Sequence, residues 1–280
     1  MCYAIRSFYP PRDSPANRLV TVRVSLPNDI IDVRMLQAKH LDATVHGSGG
    51  KITVLMSHRK QFIYTKTVKT AGTSIESYFE RYCMPEGSWQ FSHAREMYIG
   101  DCGVIGHRGS PPPPGCEWFH HMSAESIKIR AGEALWEKYF KFCVVRNPFE
   151  KVVSGFYFFE GMFDDAPASA IGKNNVHIID RFRSWVAAGN APRCLDRDKY
   201  LIDGNICMDF LIRYENMDTG LRRVCDQLQV PFDLSNLPRL KISNRDRSVK
   251  IADYYDSDTI AVVENVFEYE LANFSYDVPR

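Results

Sequence analysis

Lys69-Thr70-Ala71-Gly72-Thr73-Ser74 sets one cation, three hydroxyls and a glycine between an apolar run, Phe62-Ile63-Tyr64, and a helical stripe, Ile75, Tyr78, Phe79 and Tyr82. The stripe falls at i, i+3, i+4 and i+7, which predicts one buried helix face starting just past Ser74. A strand therefore hands the chain through a small-residue loop into a helix start. Backbone N–H groups with no helical acceptor converge there, and together with the helix dipole they favour an anion such as phosphate. Lys69 lies three residues before Gly72, whereas the triphosphatase loop G-x-x-x-x-G-K-[ST] puts its lysine directly after the second glycine. No acidic strand end stands out as a magnesium holder, so an ordinary nucleoside triphosphatase is disfavoured.

A second junction of the same kind follows. Phe142-Cys143-Val144-Val145 is a short apolar strand, Arg146 comes next, Asn147 suits an N-cap and Pro148 the first helical position. Arg146 offers phosphate oxygens a planar, always-charged fork, and Ser154 stands on the helix that follows. Taken singly, Arg146 reads as a surface ion pair and Ser154 as a helix-face serine. Their pairing with the upstream loop is what favours anion binding.

The elements that must hold these residues alternate from about residue 61 onward: strand, loop, helix, irregular segment, helix, strand, helix, then further helices. That order predicts an α/β fold with a central parallel sheet flanked by helices. Ser123 suits an N-cap for a helix from Ala124, with Glu125 at the positive end of its dipole. Further helical stripes run through Leu221, Val224, Cys225 and Leu228, and through Ile260, Val263, Phe267, Leu271 and Phe274, the latter capped by Asp256 and Ser257. The four prolines at 111–114 mark an extended surface loop. Residues 1–60 read as a β-rich accessory segment: Val20, Val22 and Val24 alternate with polar residues, and Gly47-Ser48-Gly49-Gly50 marks a turn before a strand from Ile52 to Met56. Lys51 after Gly50 does not make a second phosphate loop, since Ile52 stands where Ser or Thr is needed. The expected organisation is thus 1–60 accessory and 61–280 catalytic, with the accessory segment a candidate flap or homo-oligomer contact.

The order Lys-Thr-Ala-Gly-Thr-Ser closely resembles the 5′-phosphosulfate loop of sulfotransferases that use 3′-phosphoadenosine 5′-phosphosulfate (PAPS), particularly the carbohydrate branch that includes heparan sulfate 2-O-sulfotransferase. The run F-C-V-V-R-N-P-F-E-K-V-V-S-G-F, from Phe142 to Phe156, is similar to that family's 3′-phosphate element, in which an arginine and a serine eight residues later hold the 3′-phosphate. The resemblance implies a P-loop-like sulfotransferase fold and transfer of a sulfuryl group from PAPS to a hydroxyl or amine of a sugar or small molecule, without a metal. It implies that Lys69, Thr70, Ala71, Gly72, Thr73 and Ser74 cradle the 5′ end of the donor, that Arg146 and Ser154 hold its 3′-phosphate, and that Lys69 meets the leaving oxygen. Histidine is the usual base near neutral pH, and His93, His107, His120 and His121 lie between the two phosphate elements. The carbohydrate branch has its catalytic histidine shortly before the helix leading to the arginine strand, which is where His121 sits; His120 and His107 are rivals, and a helix-capping role for His121 is the plainer alternative. Glu76, one turn into the loop helix, is a further carboxylate candidate. Two fainter likenesses place Tyr214 near the adenine and Arg245, Ser248 and Lys250 in a loop closing over the 3′-phosphate, against plainer roles in packing and solvation.

Composition bounds the rest. The 280 residues are 45% hydrophobic and 25% charged, with a formal net charge of +1, so nothing draws the whole surface to nucleic acid or a membrane and anion recognition must be local. No apolar run is long enough to span a bilayer, and Arg6, Pro10, Pro11, Arg12 and Asp13 stand where a signal peptide needs an apolar stretch. The reading is cytoplasmic, with the Golgi lumen open only if a membrane anchor has been removed. The eight cysteines contain no C-x-x-C pair, and the spacing of Cys102, His107, Cys116 and His120 or His121 fits no compact zinc signature. Two other classes stay in view: a kinase-like or triphosphatase-like protein, which would need magnesium and ATP, and a catalytically silent nucleotide-binding module. Lys69→Ala is expected to impair nucleotide binding and turnover together. His121→Ala is expected to spare binding, measured by calorimetry, and to cut sulfate transfer by roughly two to four orders of magnitude; full turnover in that variant would move the base elsewhere.

Overall fold

Successive side chains along the strands part into separate cores, and that division organises the chain. The computed structural model describes residues 19–26, 29–36, 54–108, 114–118, 122–161, 175–233, 235, 237–238, 240 and 245–278. The chain divides into two units, 1–48 and 49–280. In the first, β1 (Leu19–Leu26) and β2 (Asp29–Leu36) pair antiparallel, from Leu19 opposite Leu36 to Leu26 opposite Asp29.

The second unit runs β3 (Val54–Ser57), β4 (Phe62–Thr65), α1 (Gly72–Phe79), β5 (Tyr98–Gly100), β6 (Gly103–Ile105), α2 (Ala124–Ala131), α3 (Glu133–Lys138), β7 (Phe140–Val145), α4 (Pro148–Phe159), α5 (Asn175–Ala187), β8 (Leu201–Ile202), β9 (Asn205–Ile206), β10 (Phe210–Arg213), α6 (Met217–Leu228), α7 (Ile251–Tyr254), α8 (Ser257–Val266) and α9 (Glu268–Phe274). Its central sheet has six strands in the order β10-β7-β4-β3-β6-β5. The pairs β10/β7 and β7/β4 are parallel, whereas β4/β3, β3/β6 and β6/β5 are antiparallel. Four strands, β4, β6, β7 and β10, therefore share one direction, with β3 and β5 opposed. The sheet is mixed: one half, β10-β7-β4, is parallel, and the other joins it antiparallel.

β7 shows why the sheet is buried on both faces. Phe142 and Val144 join Tyr64, Phe79, Ile212 and Val224 in a core under α1 and α6, while Cys143 and Val145 join Ile63, Trp136, Tyr200 and Phe274 in a core under α2, α3 and α9. Such two-sided burial explains why β7 reads as a continuous apolar run. A third core packs α4 and α5 against α7 and α8 through Phe156, Phe182, Tyr254 and Val263.

Two boundaries differ from the sequence reading. The strand expected at the end of the accessory segment is β3, which pairs with β4 in the middle of the sheet, and the units part between Ser48 and Gly49. The stripe from Ile260 to Phe274 is two helices, because the chain leaves helical geometry at Phe267 (φ −110°, ψ 24°) while its ring stays buried. Asp256 caps the first of them, accepting from the Thr259 N–H.

Gly103 opens β6 at φ 152°, and a Cβ there would lie 2.2 Å from the Met56 carbonyl oxygen on β3. Gly103→Ala must push these strands apart, and a loss of roughly 2–3 kcal/mol is expected. A urea unfolding midpoint unchanged from wild type would contradict the close β3–β6 approach.

Candidate active site

The carboxyl ends of β4, β7 and β10 lie side by side, since Tyr64 is in register with Phe142 and Val145 with Arg213. Open α/β sheets bind ligands outside such ends. Here they lead into the Lys66–Ala71 loop, Arg146 and Tyr214 respectively.

The loop holds two non-glycine residues in left-handed geometry, Lys69 and Ala71, both at φ 58°, and Ala71 is the N-cap of α1. That conformation costs about 1–2 kcal/mol per residue and persists only where the surroundings enforce it. Several bonds do so. The Thr67 hydroxyl donates to the Val144 carbonyl at 2.5 Å and lies 2.8 Å from the Thr70 hydroxyl, the Val68 N–H donates to Asp196 Oδ2 at 2.6 Å, and Arg146 Nη1 donates to the Lys69 carbonyl at 3.0 Å. Gly72 opens α1 where a Cβ would stand 2.6 Å from Lys66 Cγ, so the glycine makes room for the Lys66 stem. As α1 begins where the loop ends, the Ser74 and Ile75 N–H groups both donate to the Ala71 carbonyl, at 2.9 and 3.2 Å.

Behind the loop lies a buried ionic cluster. Lys66 Nζ is 2.5 Å from Glu76 Oε2 and 3.2 Å from the Thr73 hydroxyl; Arg108 meets both Glu76 and Glu80, and Arg95 Nε is 3.0 Å from Glu80 Oε2. Burial pushes the Glu76 carboxyl up and the Lys66 ammonium down. Glu76, considered from sequence as a base, is fully buried in this cluster and serves structure instead. Three cations, Lys66, Arg95 and Arg108, stand against two carboxylates, Glu76 and Glu80, a local positive excess.

Arg146 is fixed on three sides. Besides the Lys69 carbonyl, its guanidinium stacks on the Tyr214 ring at 4.0 Å and its Nη2 donates to Glu150 Oε2 at 3.1 Å. Its Nε is buried with no hydrogen-bond partner among the described residues. Asn147 caps α4 by accepting from the Phe149 N–H, and its own N–H donates to Glu215 Oε1 at 2.7 Å. On α4 the positions Glu150, Ser154 and Phe158 are only partly buried while the residues between them are buried. Arg146 touches the first of this stripe, and Lys69 Nζ lies 4.1 Å over the ring of the last. Ser154 is thus bracketed by the two cations.

Other expected residues fare differently. Tyr214 is brought to Arg146. Arg245 Nη1 donates to the Val249 carbonyl, Ser248 donates to Asp246 through hydroxyl and N–H, and the Lys250 N–H donates to Asp253 at the start of α7, so these bonds lie within their own loop. The Ser74 hydroxyl, by contrast, accepts from the Leu240 N–H at 3.3 Å just ahead of that loop. His120 and His121 lie outside the described residues; Ser123 beyond them caps α2 by accepting from the Ser126 N–H. The His107 N–H donates to the Trp118 carbonyl, and the His93 carbonyl accepts from Arg108. Among the described residues no three His, Cys, Asp or Glu side chains converge as metal ligands.

Asp196 went unnoticed in the sequence. It sits two residues past a 3-10 turn (Ala191–Cys194), is 2% exposed, and joins Val68 of the loop to Lys151 Nζ of α4 at 2.5 Å. Burial pushes its carboxyl up, with Lys151 drawing it back down. Lys151 itself was the available signal: a lysine on the apolar face of a helix needs a buried carboxylate. Asp196→Ala is expected to cost about 3–5 kcal/mol, because Lys151 is left charged and buried, and adding Lys151→Met should restore part of it. A loss below about 1 kcal/mol in urea unfolding would show that this pair is not a strut.

A model described as the sulfotransferase family matches residues 53–277. An uncharacterized protein of Archaeoglobus fulgidus is 31% identical over 116 residues, which span 40% of this chain and 87% of that protein. No solved structure matches. No helix among the described residues is long and apolar enough to cross a membrane. With a family match running from β3 through the last helix and both strand-to-helix junctions inside it, the chain belongs to the sulfotransferase family.

Proposed function

We propose that the chain transfers a sulfuryl group from PAPS to a hydroxyl or amine of a sugar or small-molecule acceptor, in the manner of the carbohydrate branch. The observation that carries this reading is the hydrogen bond from Arg146 to the Lys69 carbonyl, which locks two phosphate-type junctions on adjacent parallel strands at one fixed separation. A nucleotide with anions at both its 5′ and 3′ ends has the charge pattern to occupy both. The residues fit such a donor: Arg146 presents a buried Nε without a described partner, and the loop sits over a cluster with net positive charge.

The Lys69–Ser74 loop would hold the 5′ end and Arg146 with Ser154 the 3′-phosphate, with Tyr214 close enough to Arg146 to wall the adenine side. PAPS supplies a sulfuryl group on a phosphate leaving group. What falls to the chain is positioning and electrostatics. Lys69 brings a cation to the leaving oxygen, and first-turn N–H groups stabilise negative charge at the loop. A histidine of the segment ahead of α2, His121 in our reading, accepts the acceptor's proton. A sulfuryl group carries less charge than a phosphoryl group, so this scheme asks for no metal clamp. No observation favours the kinase-like alternative.

A screen of sugar and small-molecule acceptors with labelled PAPS tests the proposal. Transfer is expected with a chelator present. Arg146→Ala is expected to weaken binding of 3′-phosphoadenosine 5′-phosphate by about ten- to a hundredfold, the worth of a charge-assisted hydrogen-bond pair. Binding of ATP with magnesium in preference to that nucleotide would sink the reading.

A further inference from the structure

Glu150 occupies the first turn of α4, and its carboxylate is 3.1 Å from Arg146 Nη2. A carboxylate there suits the helix dipole, but the dipole does not require it to reach Arg146. Orienting Arg146 does not require it either, since the Tyr214 ring and the Lys69 carbonyl already fix the guanidinium plane. The pair is unevenly set, with the Arg146 side chain 13% exposed and that of Glu150 37%. The arginine is fixed and enclosed, while the carboxylate is the accessible, exchangeable partner.

Resting on the PAPS reading above, we infer that Glu150 is a built-in competitor for the 3′-phosphate at Arg146, which lowers the affinity of donor and product alike and speeds product release. An arriving 3′-phosphate meets a guanidinium edge already taken by a carboxylate, and must either displace that group or share Nη2 with a like charge. The 3′-phosphate passes unchanged from donor to product. Contacts to it are therefore uniform binding, which cannot accelerate the transfer step but does prolong product residence. A carboxylate set against such a contact lowers affinity where affinity contributes nothing to the chemistry. The stripe on which Glu150, Ser154 and Phe158 stand brings this competitor beside Ser154, the other residue proposed for the same phosphate.

Calorimetric titration of the full chain separates the possibilities, using 3′-phosphoadenosine 5′-phosphate against adenosine 5′-phosphate, which lacks the 3′-phosphate. Glu150→Gln is expected to bind the bisphosphate about three- to tenfold more tightly at fixed ionic strength, the scale of a half-exposed ion pair, with the monophosphate unchanged or weakened. Glu150→Ala should move in the same direction, and a thermal melt establishes that each variant is folded. Weaker bisphosphate binding in Glu150→Gln would make Glu150 an orienting group and overturn the inference, as would no change or an equal gain for both nucleotides. Should wild type fail to prefer the bisphosphate over the monophosphate, the PAPS reading itself falls and takes the inference with it.

Discussion

The geometry of the whole site depends on one constraint: the Lys66–Ala71 loop and the second strand-to-helix junction must not move relative to each other. Four bonds from different parts of the chain enforce it. Arg146 reaches the Lys69 carbonyl, Thr67 reaches the Val144 carbonyl inside β7, and Asp196 ties Val68 to Lys151 of α4. Parallel pairing of β4 with β7 sets the coarse separation, and these bonds set the fine one. A ligand charged at both ends can then be bound without the protein first having to organise, which keeps the ordering cost off the binding free energy.

Buried charge is an expensive way to obtain rigidity. Replacing a buried ion pair with apolar residues is often neutral or stabilising, so Lys151–Asp196 and the Lys66–Glu76–Arg108–Glu80 cluster are not explained by stability alone. Their location explains them. Asp196 holds Val68, next to the left-handed Lys69, and the Lys66 stem packs against Gly72, next to the left-handed Ala71. In the Lys66 cluster cations also outnumber carboxylates, which leaves a local positive field.

What was legible in the sequence was local. Asn147 and Pro148 announce the start of α4 because capping chemistry acts within a few residues, and the stripe Leu221-Val224-Cys225-Leu228 announces α6 because a helix repeats its face every 3.6 residues. The junctions at Lys69 and Arg146 were legible for the same reason. Asp196 was not, being 128 residues from the N–H it accepts, and neither was Glu215, which holds the Asn147 N–H from 68 residues away. Hydrophobic periodicity cannot reveal a buried carboxylate, and it also ran straight through Phe267, whose ring keeps the stripe while its backbone breaks the helix. Glu76 misled for a related reason: an acid near a helix start suits both a dipole and a base, and only Lys66 and Arg108 packed against it decide between them.

The cations of this site fall into two kinds, and burial separates them. Lys66, Lys151 and Arg108 are enclosed with carboxylates, so removing either partner strands a charge in a dry interior, and their pairings are permanent parts of the fold. Lys69 and Arg146 rest instead against aromatic faces, Phe158 and Tyr214, and Arg146 against a partly exposed carboxylate. Contacts of that strength, about 0.5–2 kcal/mol, hold a side chain in place yet yield to a phosphate. A donor site must be positively charged before its ligand arrives and must let it go afterwards. In the proposed donor site permanent pairs would supply the shape and part of the field, and exchangeable ones the two groups that meet the anion. The division follows α4 itself: Lys151 on its buried face belongs to the first kind, and Glu150 and Phe158 on its open stripe hold the second.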